Sequence, residues 1–288
     1  MRQRREGWSL LEMIVVIALV GILLALVMVA VQKVRDSASA VTCLHHLRQL
    51  ALACHAHHDE KEKLPPYSTG QDGTAEANWW VHLAPYAGER SFHDKYMKVA
   101  QPNPTPNGLL LVTAATGGDF DNVPFELLQC PSDHSRSFVA SGLATTNYLA
   151  NWYVFGDGEW GCYTRAQRFK DVSDGLSCTV LFAEGYASCD GIPRRTLVSC
   201  CLHNFGITWD GKPSDDPSYQ PKDYTMFQVN PRPKGDGECD KWRAQTPHPA
   251  MPIALADGST RLISPTIAPA MWKQLLKARD EGPTTLDW

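Results

Sequence analysis

The sequence has no excess of charge of one sign. Lys plus Arg number 27 and Asp plus Glu 31, for a formal net charge of −4. The basic face of a general nucleic-acid binder is therefore missing. No Cys-x-x-Cys pair occurs among the nine cysteines, which removes the usual zinc-ribbon and thioredoxin-like spacings. G-x-S-x-G, H-E-x-x-H and P-loop patterns are absent too, and with them the most direct sequence warrants for an enzyme. No proline precedes Pro65, so nothing breaks a helix over the first sixty residues. From Met13 to Val31 there is no polar or charged side chain.

What is present is a chain of 288 residues, 43% hydrophobic and 20% charged. Those are the proportions of a folded protein, not of a disordered one. The length suits one large domain or two ordinary ones. Nine cysteines are too few for a small disulfide scaffold, and the odd count leaves at least one outside any intrachain pair.

The N-terminus carries the strongest local signal. Nineteen apolar residues, Met13 to Val31, span about 28 Å as a helix, close to the hydrocarbon thickness of a bilayer. Arg2, Arg4 and Arg5 precede them, which places the N-terminus in the cytoplasm and exports the rest. Ala38-Ser39-Ala40 has the form of a signal-peptidase site. However, the apolar run is too long, and Lys33, Arg35 and Asp36 intervene. Glu12 heads the run, where a carboxylate is costly unless paired.

Beyond the run, Ala40, Leu44, Leu47, Ala51, Cys54 and His58 recur at helical spacing. Trp8 to about Asp59 is therefore read as one helix of about 75 Å, ended by Pro65-Pro66. Five histidines fall on it: His45, His46, His55, His57 and His58. His55 and His58 share a face, but no third ligand stands at a convincing position. A packed or solvated role, not metal, is expected.

The remainder is turn-rich. Asn78–Gly88 reads as a short helix or strand–loop, Gln101–Gly108 as a loop and Leu109–Val112 as a strand. Ser177–Glu184 reads as a better strand, and Asp210–Gly237 as an inserted loop region. Ile253–Ile263 has the form of a hairpin with Asp257-Gly258 in a type I′ turn. Ala268–Glu281 reads as a C-terminal helix. Asp119-Phe120-Asp121-Asn122 offers oxygen ligands but lacks an EF-hand pattern, and is taken as a solvated turn. Cys189, Cys200, Cys201 and His203 cluster in sequence, with disulfides expected there ahead of zinc. No metal and no cofactor are expected.

Gly7-Trp8-Ser9-Leu10-Leu11-Glu12 resembles the type IV prepilin signature, with Trp8 where the aromatic is usually Phe. The resemblance widens along the chain. Cys43-Leu44-His45-His46-Leu47-Arg48-Gln49 and Cys130-Pro131-Ser132-Asp133 contribute to it, as do Thr146-Asn147-Tyr148, Asp174-Gly175 and Phe182-Ala183-Glu184. The last match is His248-Pro249 followed by Asp257-Gly258. Together these resemble a bacterial pilin-like family with a C-terminal H-X9-DG motif, catalogued as domain of unknown function 1559. Only eight residues separate His248 from Asp257 here, and Val29 stands where the family usually has Pro.

The resemblance implies an α+β, pilin-like fold: one long N-terminal helix, transmembrane in its first half, packed on a mainly antiparallel sheet with a short C-terminal helix. Residues 1–7 would be a leader, 8–60 the helix with 13–31 in the membrane, and 61–288 an exported globular domain. A prepilin peptidase would cut between Gly7 and Trp8 and methylate the new amine. Glu12 would pair with the terminal ammonium of a neighbouring subunit, since a buried carboxylate is tolerated opposite an opposite charge. Cys43 and Cys130 occupy family positions, and the resemblance implies a bond between them. His248, Asp257 and Gly258 would form the motif turn.

The expected function is structural, not enzymatic. The chain would be a pseudopilin-like protein of the inner membrane, single-pass, with its domain in the periplasm or at the cell surface. It would assemble in a secretion or pilus-like system. Its partners would be the prepilin peptidase, membrane lipid and other pilin-like subunits, with no nucleic acid. The alternative is a membrane-anchored module that binds a ligand, a carbohydrate for example, and forms no fibre.

Overall fold

A computed structural model describes residues 10–69, 77–100, 120, 122–139, 143–156, 167–197, 206–207, 226–234 and 238–278. Helix α1 runs Leu10–Lys61, about 78 Å at the α-helical rise. Its halves lie in different surroundings. Every large apolar side chain from Leu10 to Val34 is exposed. From Ala40 onward one stripe is buried: Cys43, Leu47, Leu50, Cys54 and His57, with Ala51 and Ala53 beside it. This stripe lies one residue to the side of the expected one, so Leu44 and His58 become half-buried edges. Ala40, Leu47, Ala51 and Cys54 are buried and belong to the expected stripe as well, so sequence periodicity alone could not choose between the two lines.

After α1 the chain makes β1 (Ser68–Thr69) and β2 (Ala77–Asn78), paired antiparallel. Helix α2 (Trp79–Leu83) starts on Asn78, whose side chain accepts from Val81 N, an N-cap that satisfies an otherwise orphan amide. A 3₁₀ turn at Ala84–Tyr86 leads to α3 (Arg90–Val99). The region expected to be a short helix or strand–loop is thus mainly helical.

The central sheet contains β3 (Tyr148–Asn151), β4 (Val180–Glu184), β7 (Gly206–Ile207), β10 (Met251–Leu255) and β11 (Thr260–Ile263). Its order is β11-β10-β4-β3-β7. All pairs are antiparallel except β3 with β7. Two small ribbons stand apart, β5 (Ser188–Cys189) with β6 (Ile192–Pro193) and β8 (Gln228–Val229) with β9 (Gln245–Thr246). A one-turn helix α4 (Trp152–Phe155) follows β3, and α5 (Pro269–Leu276) is the last described element, shorter than expected because Lys277 already leaves the helix.

Strands β4 and β10 are buried along their whole length, which explains apolar runs instead of alternation. One face meets α1 and the aromatic group of Trp79, Trp80, Phe155 and Phe182. The other meets Trp272, Leu275 and Leu276 of α5, with Phe227. The β4–β10 register slips between Ala254 and Leu255. Leu181 is the extra residue of that bulge, so Leu181 and Phe182 both join the helix-side cluster. The arrangement is α+β, with the long N-terminal helix on antiparallel sheets and a short C-terminal helix.

Three details correct the sequence reading. Residues 176–178 form a 3₁₀ turn, so the strand begins at Val180. Asp257 and Gly258 are not a two-residue type I′ turn. Gly258 N donates to Leu255 O at 3.0 Å, and Leu255 N to Ser259 O at 2.8 Å, which encloses a three-residue loop. Gly258 alone of these residues has positive φ, +85°, as the left-handed residue of such loops requires. The third correction concerns Cys189, which bonds to Cys239, a residue far from it in sequence. Cys200, Cys201, His203, Leu109–Val112, Asp119 and Asp121 lie outside the described residues.

Candidate functional site

Two places carry chemistry. The first is the free half of α1. Among the described residues, one helix is long and apolar enough to cross a membrane, and its apolar window is entirely unburied. It suits a single-pass anchor. Glu12 stands in its first turn, among exposed Leu11, Met13 and Val16. Gly7 and Trp8 lie outside the described residues.

The second place is buried, where α1 enters the domain. Cys43 lies on the inner stripe of α1, one turn past Ala40. Cys130 opens the turn Cys130-Pro131-Ser132-Asp133. Glu184 ends β4, and His248 lies between β9 and β10. The two sulfurs are 2.9 Å apart, too far for a disulfide bond of about 2.05 Å. The implied partners are thus brought together as two free thiols. His248 Nε2 lies 3.4 Å from Cys43 Sγ and 3.5 Å from Cys130 Sγ. Glu184 Oε1 is 3.7 Å from His248 Nε2. All four ligand atoms fall within 4.8 Å of one another, and all four residues are buried.

Neighbouring polar groups hold this geometry. Thr246 Oγ1 donates to Glu184 Oε2 at 2.5 Å and accepts the His248 backbone N–H at 3.1 Å. One hydroxyl therefore holds the Glu184 carboxylate and the backbone of His248, and leaves Oε1 facing the sulfurs. Glu184 Oε1 is itself buried without a hydrogen-bond partner. Asn147 seats Cys130: its Oδ1 accepts the Cys130 N–H at 3.0 Å. Its Nδ2 donates to Asp133 Oδ2 at 2.6 Å and Gly185 O at 2.9 Å. Asp133 Oδ2 also accepts from Ala187 N at 2.8 Å. The strand bringing up His248 is braced by Arg194, whose buried guanidinium donates to the carbonyls of Tyr186, Lys241 and Arg243 and to Gln245 Oε1.

Burial dominates the electrostatics. It pushes the Glu184 carboxyl up to about 7, although the Cys130 thiol and Thr246 hydroxyl favour the charged form. The Cys130 thiol is raised first by its hydrogen bond with Cys43 and then by burial. Burial lowers His248. Each group is thereby held toward its neutral form, as expected of ionisable groups out of water.

The two parts of the His248…Asp257-Gly258 motif have different neighbours. His248 joins the sulfurs, while the turn meets α1, where His55 Nε2 donates to Ala256 O at 3.0 Å. Asp257 Oδ1 accepts from Ser259 N and Oγ, closing the turn locally. The helix histidines divide: His45 is exposed beside Gln49, and others pack. His55 and His58 both contact Phe169, and His57 donates to Lys63 O at 2.9 Å. Sequence reasoning found no convincing metal set and missed the cluster. Its members are separated by 87 residues (Cys43 to Cys130) and 118 (Cys130 to His248), so no local motif records it. The available signal was Glu184, a carboxylate closing an apolar strand.

The family described as "Protein of unknown function (DUF1559)" matches residues 32–270. The chain belongs to this family. The DUF1559 match starts inside α1, at Gln32, and takes in Cys43, Cys130, Glu184 and His248. No curated protein and no solved structure matches the chain.

Proposed function

We propose that this DUF1559 protein is a pilin-like subunit, anchored through α1 and assembling with like subunits along it. The observation that carries the reading is the helix itself. It presents exposed large apolar side chains from Leu10 to Val34, uninterrupted by any polar residue between Met13 and Val31, and then enters a folded domain at Ala40. A patch of that size is unstable in water and needs lipid or another helix. In this reading prepilin peptidase cuts after Gly7 and methylates Trp8. Glu12 then pairs with the terminal ammonium of a neighbour within the apolar layer. The basic residues Arg2, Arg4 and Arg5 keep the N-terminus cytoplasmic, so the domain faces the periplasm or the cell surface. The role is structural, not catalytic, in keeping with a cluster of reactive groups closed to solvent. Nucleic acid has no part in it.

The test is the mature N-terminus of the protein from host membranes, read by mass spectrometry, with crosslinking between α1 helices. A methylated chain starting at Trp8, and crosslinks lost in Glu12→Ala, are expected. An intact Met1 without crosslinks would replace this reading with a membrane-anchored ligand-binding module. A start at Val41 would mean that the helix is removed, and would end the pilin reading.

A further inference from the structure

We propose that Cys43, Cys130, His248 and Glu184 bind a thiophilic divalent cation, zinc foremost, in a closed tetrahedral site that clamps α1 to the globular domain. Two sulfurs, an imidazole nitrogen and a carboxylate oxygen are donors zinc accepts in structural sites. A tetrahedral zinc with bonds of about 2.3 Å to sulfur and about 2.0 Å to nitrogen sets S···N edges near 3.5 Å. The two edges from His248 Nε2 to the sulfurs are 3.4 and 3.5 Å. The sulfurs, 2.9 Å apart, have to open to about 3.7 Å, a movement within reach of side-chain rotation at either cysteine.

The polar accounting favours a cation over a disulfide. A Cys43–Cys130 bond would leave Glu184 Oε1, buried and without a hydrogen bond, and His248 Nε2 facing an uncharged sulfur pair. A cation engages all four groups. Loading releases the two thiol protons to solvent, and the Glu184 proton where that carboxyl is neutral; each thiolate, the carboxylate and the imidazole donate a lone pair, and no electron is transferred. Thr246 supplies outer support to the carboxylate ligand, fixing Glu184 through Oε2, and its hydroxyl accepts the backbone N–H of His248, which seats that loop. The position gives the site its purpose. Cys43 is within the first buried turn of α1, where any pull on the exposed half reaches the domain. This inference rests on the buried side chains and stands apart from leader processing.

The experiment uses the full chain in detergent micelles, prepared under reductant, with metal measured by inorganic mass spectrometry. Stoichiometric zinc is expected in the wild type, and at least about a tenfold loss in Cys130→Ser and His248→Ala. Thr246→Val should weaken zinc retention against a chelator by about 10–100-fold. A Co²⁺ titration of the metal-stripped wild type gives a readout independent of variant folding, through thiolate-to-cobalt absorption. Wild-type chain without zinc and without that absorption overturns the proposal. So does recovery of a Cys43–Cys130 disulfide after thiol trapping in host membranes. N-terminal processing and crosslinking are read separately, so the pilin reading stands or falls on its own result.

Discussion

His55 Nε2 donates to the carbonyl of Ala256 at 3.0 Å, so the long helix holds the hairpin turn by its backbone. The same imidazole stacks on Phe169, with ring centroids 4.5 Å apart. His55→Ala leaves a carbonyl without its partner and removes a ring contact, each worth about 1 kcal/mol. A loss of about 2 kcal/mol is expected in denaturant unfolding of the full chain in micelles. An unchanged midpoint would mean that the turn is held by other contacts.

Two glycines separate backbone strain from crowding. Gly258 has φ +85°, and a Cβ there would meet nothing nearer than His55 Nε2 at 3.7 Å. Gly258→Ala should therefore cost about 1 kcal/mol from conformation alone. At Gly185 a Cβ would lie 2.8 Å from Leu149 Cδ1 and 2.9 Å from Arg194 Nη1, inside a filled core. Gly185→Ala should cost more, about 2–3 kcal/mol. The reverse ranking in parallel melts would contradict the packing described.

The Cys189–Cys239 bond joins residues 50 apart. Closing a loop of that size constrains the unfolded chain by about 4 kcal/mol in the entropy model. Cys239→Ser should lower stability by that order under oxidising conditions and by much less under reductant. Equal losses in both buffers would show that packing around Tyr186, not the crosslink, carries the effect.

His82 gives an acid-dependent term. Burial lowers it to about 3, with His57 and His93 adding repulsion. The unfolded imidazole takes up a proton near pH 6.5 and the folded one does not. The unfolded state then binds more protons, so this contribution is present above about pH 6.5 and is lost as pH falls toward about 3. His46 and His57 are lowered too, so the wild type retains other slopes of the same sign. His82→Phe should flatten the fall in stability between pH 6 and about 4 relative to the wild type. Parallel pH curves would remove His82 from the account.

In the exposed half of α1, Leu23→Arg places a charge near the middle of the apolar run. Insertion should become less favourable by about 2.5–3.5 kcal/mol. The variant should shift from the carbonate-resistant membrane fraction to the soluble or aggregated fraction. Retention in the membrane at the wild-type level would mean that this stretch is not the anchor.

The sequence by itself determined the elements made of local pattern. The apolar run, the unbroken helix to the Pro65 region, the hairpin around Asp257-Gly258 and the C-terminal helix are short-range properties of spacing, charge and turn residues. Cys43 and Cys130 could be paired only through family resemblance, and their surroundings were invisible. Tertiary structure decided which of two overlapping stripes of α1 faces inward, because Ala40, Leu47, Ala51 and Cys54 fit both. It decided the partner of Cys189, since a disulfide reports proximity in space. It also brought Glu184 and His248 to the two sulfurs from positions far apart in the chain. Such a cluster needs the end of a central strand, two loops and a helix to meet in three dimensions, and no periodicity along one strand or helix records that meeting.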